Sequence, residues 1–246
     1  MAERRSRRRG LVWAVAGGLV AVAAVIVAAV VATNSSGDTA APRTPPTASA
    51  SPVAPLPTPL PDGDAVVDPT VVDSGWVPEP ITTDAESYLR AAITAAGTVN
   101  TTLSTREDWV AYLDTWFTLD PRLEDADEQA AQTERYQLTM RDAVVFPQQV
   151  WDSLAAQQGR VSAATAGEME IMPVPDYPGD DMFIGTTHVV LTFTEADAAG
   201  VEASYEEQVR VSAQVLCGEE SIPTPGSAQA AGDCKLIRYF DQALSE

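Results

Sequence analysis

Few side chains in this chain can do chemistry. Its 246 residues hold two cysteines, Cys217 and Cys234, and one histidine, His188. A structural zinc site takes about four Cys or His ligands, so this set excludes one. His188 stands in TTHVV, the middle of a predicted strand. A catalytic imidazole needs a nucleophile and an orienting carboxylate beside it, and no spacing supplies them. No Gly-x-Ser-x-Gly, P-loop or dinucleotide fingerprint occurs. Carboxylates gather at Glu124, Asp125, Asp127 and Glu128, at Asp176, Asp180 and Asp181, and at Glu206 with Glu207. None has the spacing of an EF-hand loop, so they read as solvated acidic surface, with weak calcium binding as the rival. A carboxylate pair acting on a glycan is conceivable, but nothing selects the pair. No catalytic residue, cofactor site or metal ligand is assigned.

The cysteines read differently. Cys217 closes one predicted strand, Cys234 opens the next, and GEESIPTPGSAQAAGD between them has a loop's composition. The spacing is not Cys-x-x-Cys, which argues against a redox pair. A Cys217–Cys234 disulfide closing this hairpin loop is expected, as is usual in exported domains, and would contribute about 3 kcal/mol in the chain-entropy account. Two buried free thiols are the alternative. The last group is aromatic: Trp109, Tyr112, Trp116 and Phe117, the first three along one helical face. Core packing competes with a partner surface or pocket mouth at these four residues.

These groups are positioned by a domain expected over residues 81–246. Thr83 and Glu86 have capping-box spacing, and Tyr88, Leu89, Ala92, Ile93, Ala96 and Val99 follow at helical period. Thr105 and Asp108 cap a second helix carrying the aromatic stripe, which Asp120-Pro121 should end. A third helix is expected over 126–144, and a short one from Pro147 through Val150, Trp151 and Leu154 to Gly159. The period then falls to 2. Strands are predicted over 160–171, 186–194, 205–217 and 234–240, with EADAAGVEA as a connecting loop. Helices followed by an antiparallel meander make the fold class α+β.

Ahead of this domain lie three unlike segments. Residues 1–10 hold five arginines against one glutamate, a charge of +4. Residues 11–32 carry no charge and 20 of these 22 are apolar, long enough for a single transmembrane helix acting as a signal anchor. Arginines before it and only Arg43 soon after it place the N-terminus in the cytoplasm and the rest outside. A cleaved signal peptide is the rival, although its apolar region is usually shorter. Residues 33–80 hold 11 of the 18 prolines and read as a Pro/Ser/Thr/Ala-rich linker, disordered and extended. The whole chain has 15 Lys+Arg against 35 Asp+Glu, net −20, which argues against direct nucleic-acid contact.

The layout resembles bitopic actinobacterial envelope proteins, and one lysine among fourteen arginines fits a GC-rich genome. SYLRAAITAAGTVN, STREDWVAYLDTWFTLDPR and the strands around HVVLTF and QVRVSAQVL resemble the nuclear-transport-factor-2-like cone, with helices packed in the concave face of a curved sheet. Such domains occur in bitopic subunits of conjugative, type IV secretion-type systems and in proteins of mycobacterial lipid importers. The resemblance implies a non-enzymatic, membrane-anchored extracytoplasmic scaffold. Its partners would be the bilayer, through residues 11–32, and other envelope subunits, with homo-oligomers left open. A small-ligand or lipid-binding domain is the alternative, and a wall-acting hydrolase a more distant one.

Overall fold

Side-chain caps decide where the helices start. In the computed structural model, which describes residues 65–244, Asp84 accepts from the Ser87 amide and opens α1 (Ala85–Ala95). The expected Thr83 cap is thus displaced by one residue. Thr105 accepts from the Asp108 amide and opens α2 (Arg106–Asp114), as its spacing predicts. Asp125 accepts from the amides of Asp127 and Glu128 and opens α3 (Ala126–Ala143). Pro147 precedes α4 (Gln148–Ala156). The caps at Asp84, Thr105 and Asp125 satisfy donors that the first helical turn leaves unpaired, whereas α4 has no side-chain cap. Helix α2 stops well before Pro121. Residues 116–118 instead pair in parallel with the last strand, through Leu236 N–H to Trp116 O and Thr118 N–H to Leu236 O. That ladder competes for the backbone groups that would continue the helix.

The sheet has five strands in sequence order, all antiparallel: β1 (Val99–Asn100), β2 (Arg160–Pro173), β3 (Met182–Ala196), β4 (Glu202–Leu216) and β5 (Lys235–Tyr239). β3 and β4 are longer than their patterns suggest: β3 starts earlier, at Met182, and the loop expected between the two strands shrinks to Asp197–Val201. Asp197 Oδ1 accepts from the amides of Ala199 and Val201, and Gly200 takes φ 78°, a turn few other residues adopt freely. β1 is too short to announce itself by period.

One face of the sheet carries Val161, Ala163, Val189, Leu191, Phe193, Ala213 and Val215. They pack in one core with Tyr88, Leu89 and Ile93 of α1, Trp109 and Leu113 of α2, Trp116, and Trp151 and Leu154 of α4. Helix α1 lies directly on the strands. A Cβ at Gly185 would meet Leu89 Cδ1 at 2.6 Å, so glycine permits this approach. The opposite face holds a smaller cluster of Tyr136, Met182, Ile184, Leu216 and Ile237. The fold is therefore α+β, helices against an antiparallel meander.

The largest departure from expectation is the start of the domain. The linker was expected to run through residue 80, yet residues 65–80 lie on the domain. Val67 N–H donates to Glu79 O and Ile81 N–H to Ala65 O, closing a strap around a 3-10 turn, Pro69–Ser74. Trp76 stacks on Tyr112, with ring centroids 5.0 Å apart. Three prolines hide this strap, and what fixes it to the domain is contact with distant residues: Trp76 and Val77 with Tyr112, and Glu79 with Lys235. The basic tip 1–10, the apolar run 11–32 and residues 33–64 of the linker lie outside the described residues. Among the described residues no helix is long and apolar enough to cross a membrane.

Candidate functional site

The charged residues that the fold brings together were not those singled out by motif. Glu79, in the strap, and Lys235, at the start of β5, form an ion pair of 2.7 Å in which each side chain is only 1% exposed. Lys235 Nζ also donates to Thr115 O and to Thr224 Oγ1, so its three protons each have an acceptor. Glu79 further accepts from Tyr88 Oη at 2.5 Å and from Gln229 Nε2 at 3.2 Å. Burial pushes the Lys235 ammonium below the usual lysine range, and Glu79 pulls it back. Burial, then Glu79, pushes the Tyr88 phenol well above its ordinary range, so its proton stays in place to donate. Every polar atom at the centre of this cluster is held by another. Its chemistry is attachment: it joins the strap, the end of α2, the loop after Cys217 and β5.

The cysteines close the same region. Cys217 and Cys234 form a disulfide, with Cα atoms 3.9 Å apart. Cys234 N–H donates to Thr82 O and Cys217 N–H to Asp181 O, so the bridge sits among backbone pairs. The loop between them returns to the domain through Ile222 N–H to Thr118 Oγ1. Lys235 follows Cys234 directly, which places the disulfide and the buried pair in one structural unit.

The aromatic quartet divides. Trp109 and Trp116 are fully buried, Trp109 between Phe146 and Trp151, and Trp116 against Tyr88 and Tyr112. These two indoles offer a partner no surface, because Phe146 and Trp151 pack over Trp109 while Tyr88 and Tyr112 pack over Trp116. Tyr112 and Phe117 are half-buried. Tyr112 Oη donates to Val77 O in the strap, and burial pushes its phenol above its ordinary range. Phe117 packs edge-on against Tyr239.

The other candidates stay apart. His188 is exposed on the outer face of β3, between Ala166 and Arg210. Asp125 is occupied as a helix cap. Glu206 and Glu207 lie along β4. Among the described residues, no three His, Cys, Asp or Glu side chains form a group able to hold a metal ion. Sequence reasoning missed Glu79 and Lys235. One signal was available: the only lysine of the chain stands in CKLIRYF, an otherwise largely apolar strand beside a cysteine. A lysine in such a strand is a candidate for burial, and a buried ammonium needs a carboxylate.

No family model matches the chain, and no curated protein matches it. Solved structures do match at low similarity. An IcmL-like type IV secretion system protein from Legionella pneumophila is 10% identical, with a TM-score of 0.37 over 64% of this chain and 88% of its own. CagV, a VirB8 homologue of the type IV secretion system of Helicobacter pylori, is 13% identical, with a TM-score of 0.33 over 63% of this chain and 92% of its own. A periplasmic fragment of TraM is 9% identical, with a TM-score of 0.33 over 64% of this chain and 92% of its own. Similarity this low leaves function to be argued from the chain's own residues.

Proposed function

We propose that this chain is a membrane-anchored, non-enzymatic scaffold whose extracytoplasmic domain docks other subunits of an envelope transport or conjugation-type secretion assembly. The observation that carries this reading is the filled concave side of the sheet. Tyr88, Leu89, Ile93, Trp109, Leu113 and Trp116 occupy it, each at most 2% exposed. A small-ligand or lipid-binding cone would keep an apolar cavity there. With that space packed by the chain itself, recognition falls to the outer surface. The buried Glu79–Lys235 pair supports the same reading, since its donors are spent on holding segments together. Residues 11–32 supply the anchor, 1–10 the cytoplasmic tip and 33–64 the spacer. The strap from residue 65 then joins the spacer to the domain.

Purification of the tagged full chain from its native membranes, after mild detergent extraction, tests the reading. Other envelope subunits should accompany it in fixed ratio. Recovery of the chain alone after in-membrane cross-linking overturns it.

A further inference from the structure

The outer edge of β4 is open over most of its length. β4 pairs with β3 along Glu202–Leu216, whereas β5 covers only Ala213–Leu216. Phe240 N–H donates to Ser212 O, so the carbonyl of Ser212 points to the outer side. Backbone groups alternate along an antiparallel strand, which places those of Ser204, Glu206, Gln208 and Arg210 on that side too. Among the described residues none of these four has an outer backbone partner. An edge of this length, about 30 Å at ~3.3 Å per residue, is a template for another strand.

Its side chains state what strand would fit. Tyr205 stacks on Phe193 at 4.8 Å and is 48% exposed, and Val201 and Val209 are exposed on the same stretch. Glu207 lies between Tyr205 and Val209 on their face of the strand and Glu206 on the opposite face, and neither makes an ion pair among the described residues, while Glu202 and Arg210 are tied to Arg160 and Glu170. Glu195 and Glu207, after desolvation, push the Tyr205 phenol above its ordinary range, which marks the local field as negative. Two antiparallel copies joined about Glu206, or about Glu207, would set that glutamate directly against its own counterpart. Like charges directly opposed are destabilising, so the edge rejects a second copy. The same charges favour a cationic occupant.

We infer that Glu202–Val211 of β4 is a docking edge for an extended, Lys/Arg-rich segment of a partner protein, which adds to the sheet as a further strand. This rests on the docking role proposed above and assigns it a place and a partner chemistry. Backbone hydrogen bonds would supply affinity, the Tyr205–Val209 shelf would take apolar side chains, and the glutamates would select positive ones.

The test uses the full chain in detergent micelles with a peptide of alternating lysine and valine as the probe, followed by amide-resolved hydrogen exchange. The amides of Ser204, Glu206, Gln208 and Arg210 should exchange about tenfold more slowly, and an alternating glutamate–valine peptide should leave them unchanged. Gln208→Pro removes an outward N–H without breaking the β3–β4 ladder, and should abolish this protection at unchanged melting temperature. If that variant is destabilised, E206K with E207K decides instead, by transferring the preference to the acidic peptide. The proposal is overturned if the lysine peptide protects none of these four amides, or if both peptides protect them equally. Co-purified subunits without edge protection would leave the docking role standing and remove this edge from it.

Discussion

The two ends of the sheet treat exposed backbone in opposite ways. At the end where β5 begins, every segment is pinned to another: the strap by Glu79, the hairpin loop by Lys235 and the disulfide, and residues 116–118 by Leu236. At the other end, β4 leaves a long edge unpaired and stacks Tyr205 in the open. The closed end uses buried charge, which is costly unless fully partnered and therefore specifies one arrangement. The open end uses exposed charge, which adds little to stability and instead determines what can approach. Stability and recognition are thus expected to reside at different ends of one sheet.

Substitutions at the closed end should have the larger effects. Lys235→Met leaves Glu79 buried without its cation and should cost about 3–5 kcal/mol in urea unfolding. Restoring neutrality in the pair Glu79→Gln with Lys235→Met should recover part of that loss. A Lys235→Met protein as stable as the parent would end the claim that the pair specifies the closed end. Removing the disulfide with Cys217→Ser and Cys234→Ser should cost about 3 kcal/mol, read by the same unfolding curve. Hydrogen exchange at Ser204–Arg210 should be unaffected by it in the folded state. If those amides loosened as well, the two ends would be coupled.

Smaller effects lie between the ends. Asp84→Ala removes the α1 cap and should cost about 1 kcal/mol. The Ser87 contacts hold the Asp84 carboxyl below its ordinary range. Its folded value lies below its unfolded one, so the contribution is present above pH ~3.9 and is lost as pH falls through the folded value. Stability of the parent protein should therefore fall more steeply than that of Asp84→Asn below about pH 4, measured by thermal melts at low salt. The smallest change is expected at the open end. Tyr205→Ala should cost less than about 1 kcal/mol, because the ring is half-exposed in the folded chain. A larger cost would make the Phe193–Tyr205 stack part of the core.

Legibility varied with the range of the interaction. Thr105 and Pro147 mark helix starts within a few residues, and α2 and α4 begin where those signals stand, while α3 fills the span expected over 126–144 with a cap, Asp125, that only the structure identifies. The alternation in 205–217 identifies β4 in the same way. Asp120-Pro121 misled, because nothing nearby reports that residues 116–118 pair with Leu236. The strap reads as linker for the same reason. Its prolines are local facts, and its attachment to Tyr112, Tyr88 and Lys235 is not.

What the sequence by itself determined is the α+β order of elements, the short-range caps, the hairpin closed by its two cysteines, and a charge that argues against direct nucleic-acid contact. Period, capping and composition are properties of neighbouring residues, so one dimension suffices to read them. Only the tertiary structure decided that Trp109 and Trp116 are core rather than surface, that the domain begins by residue 66, that Glu79 meets Lys235, and that β4 outruns β5. Burial and pairing are set by residues as far as 156 positions apart, and local pattern holds no record of such distances.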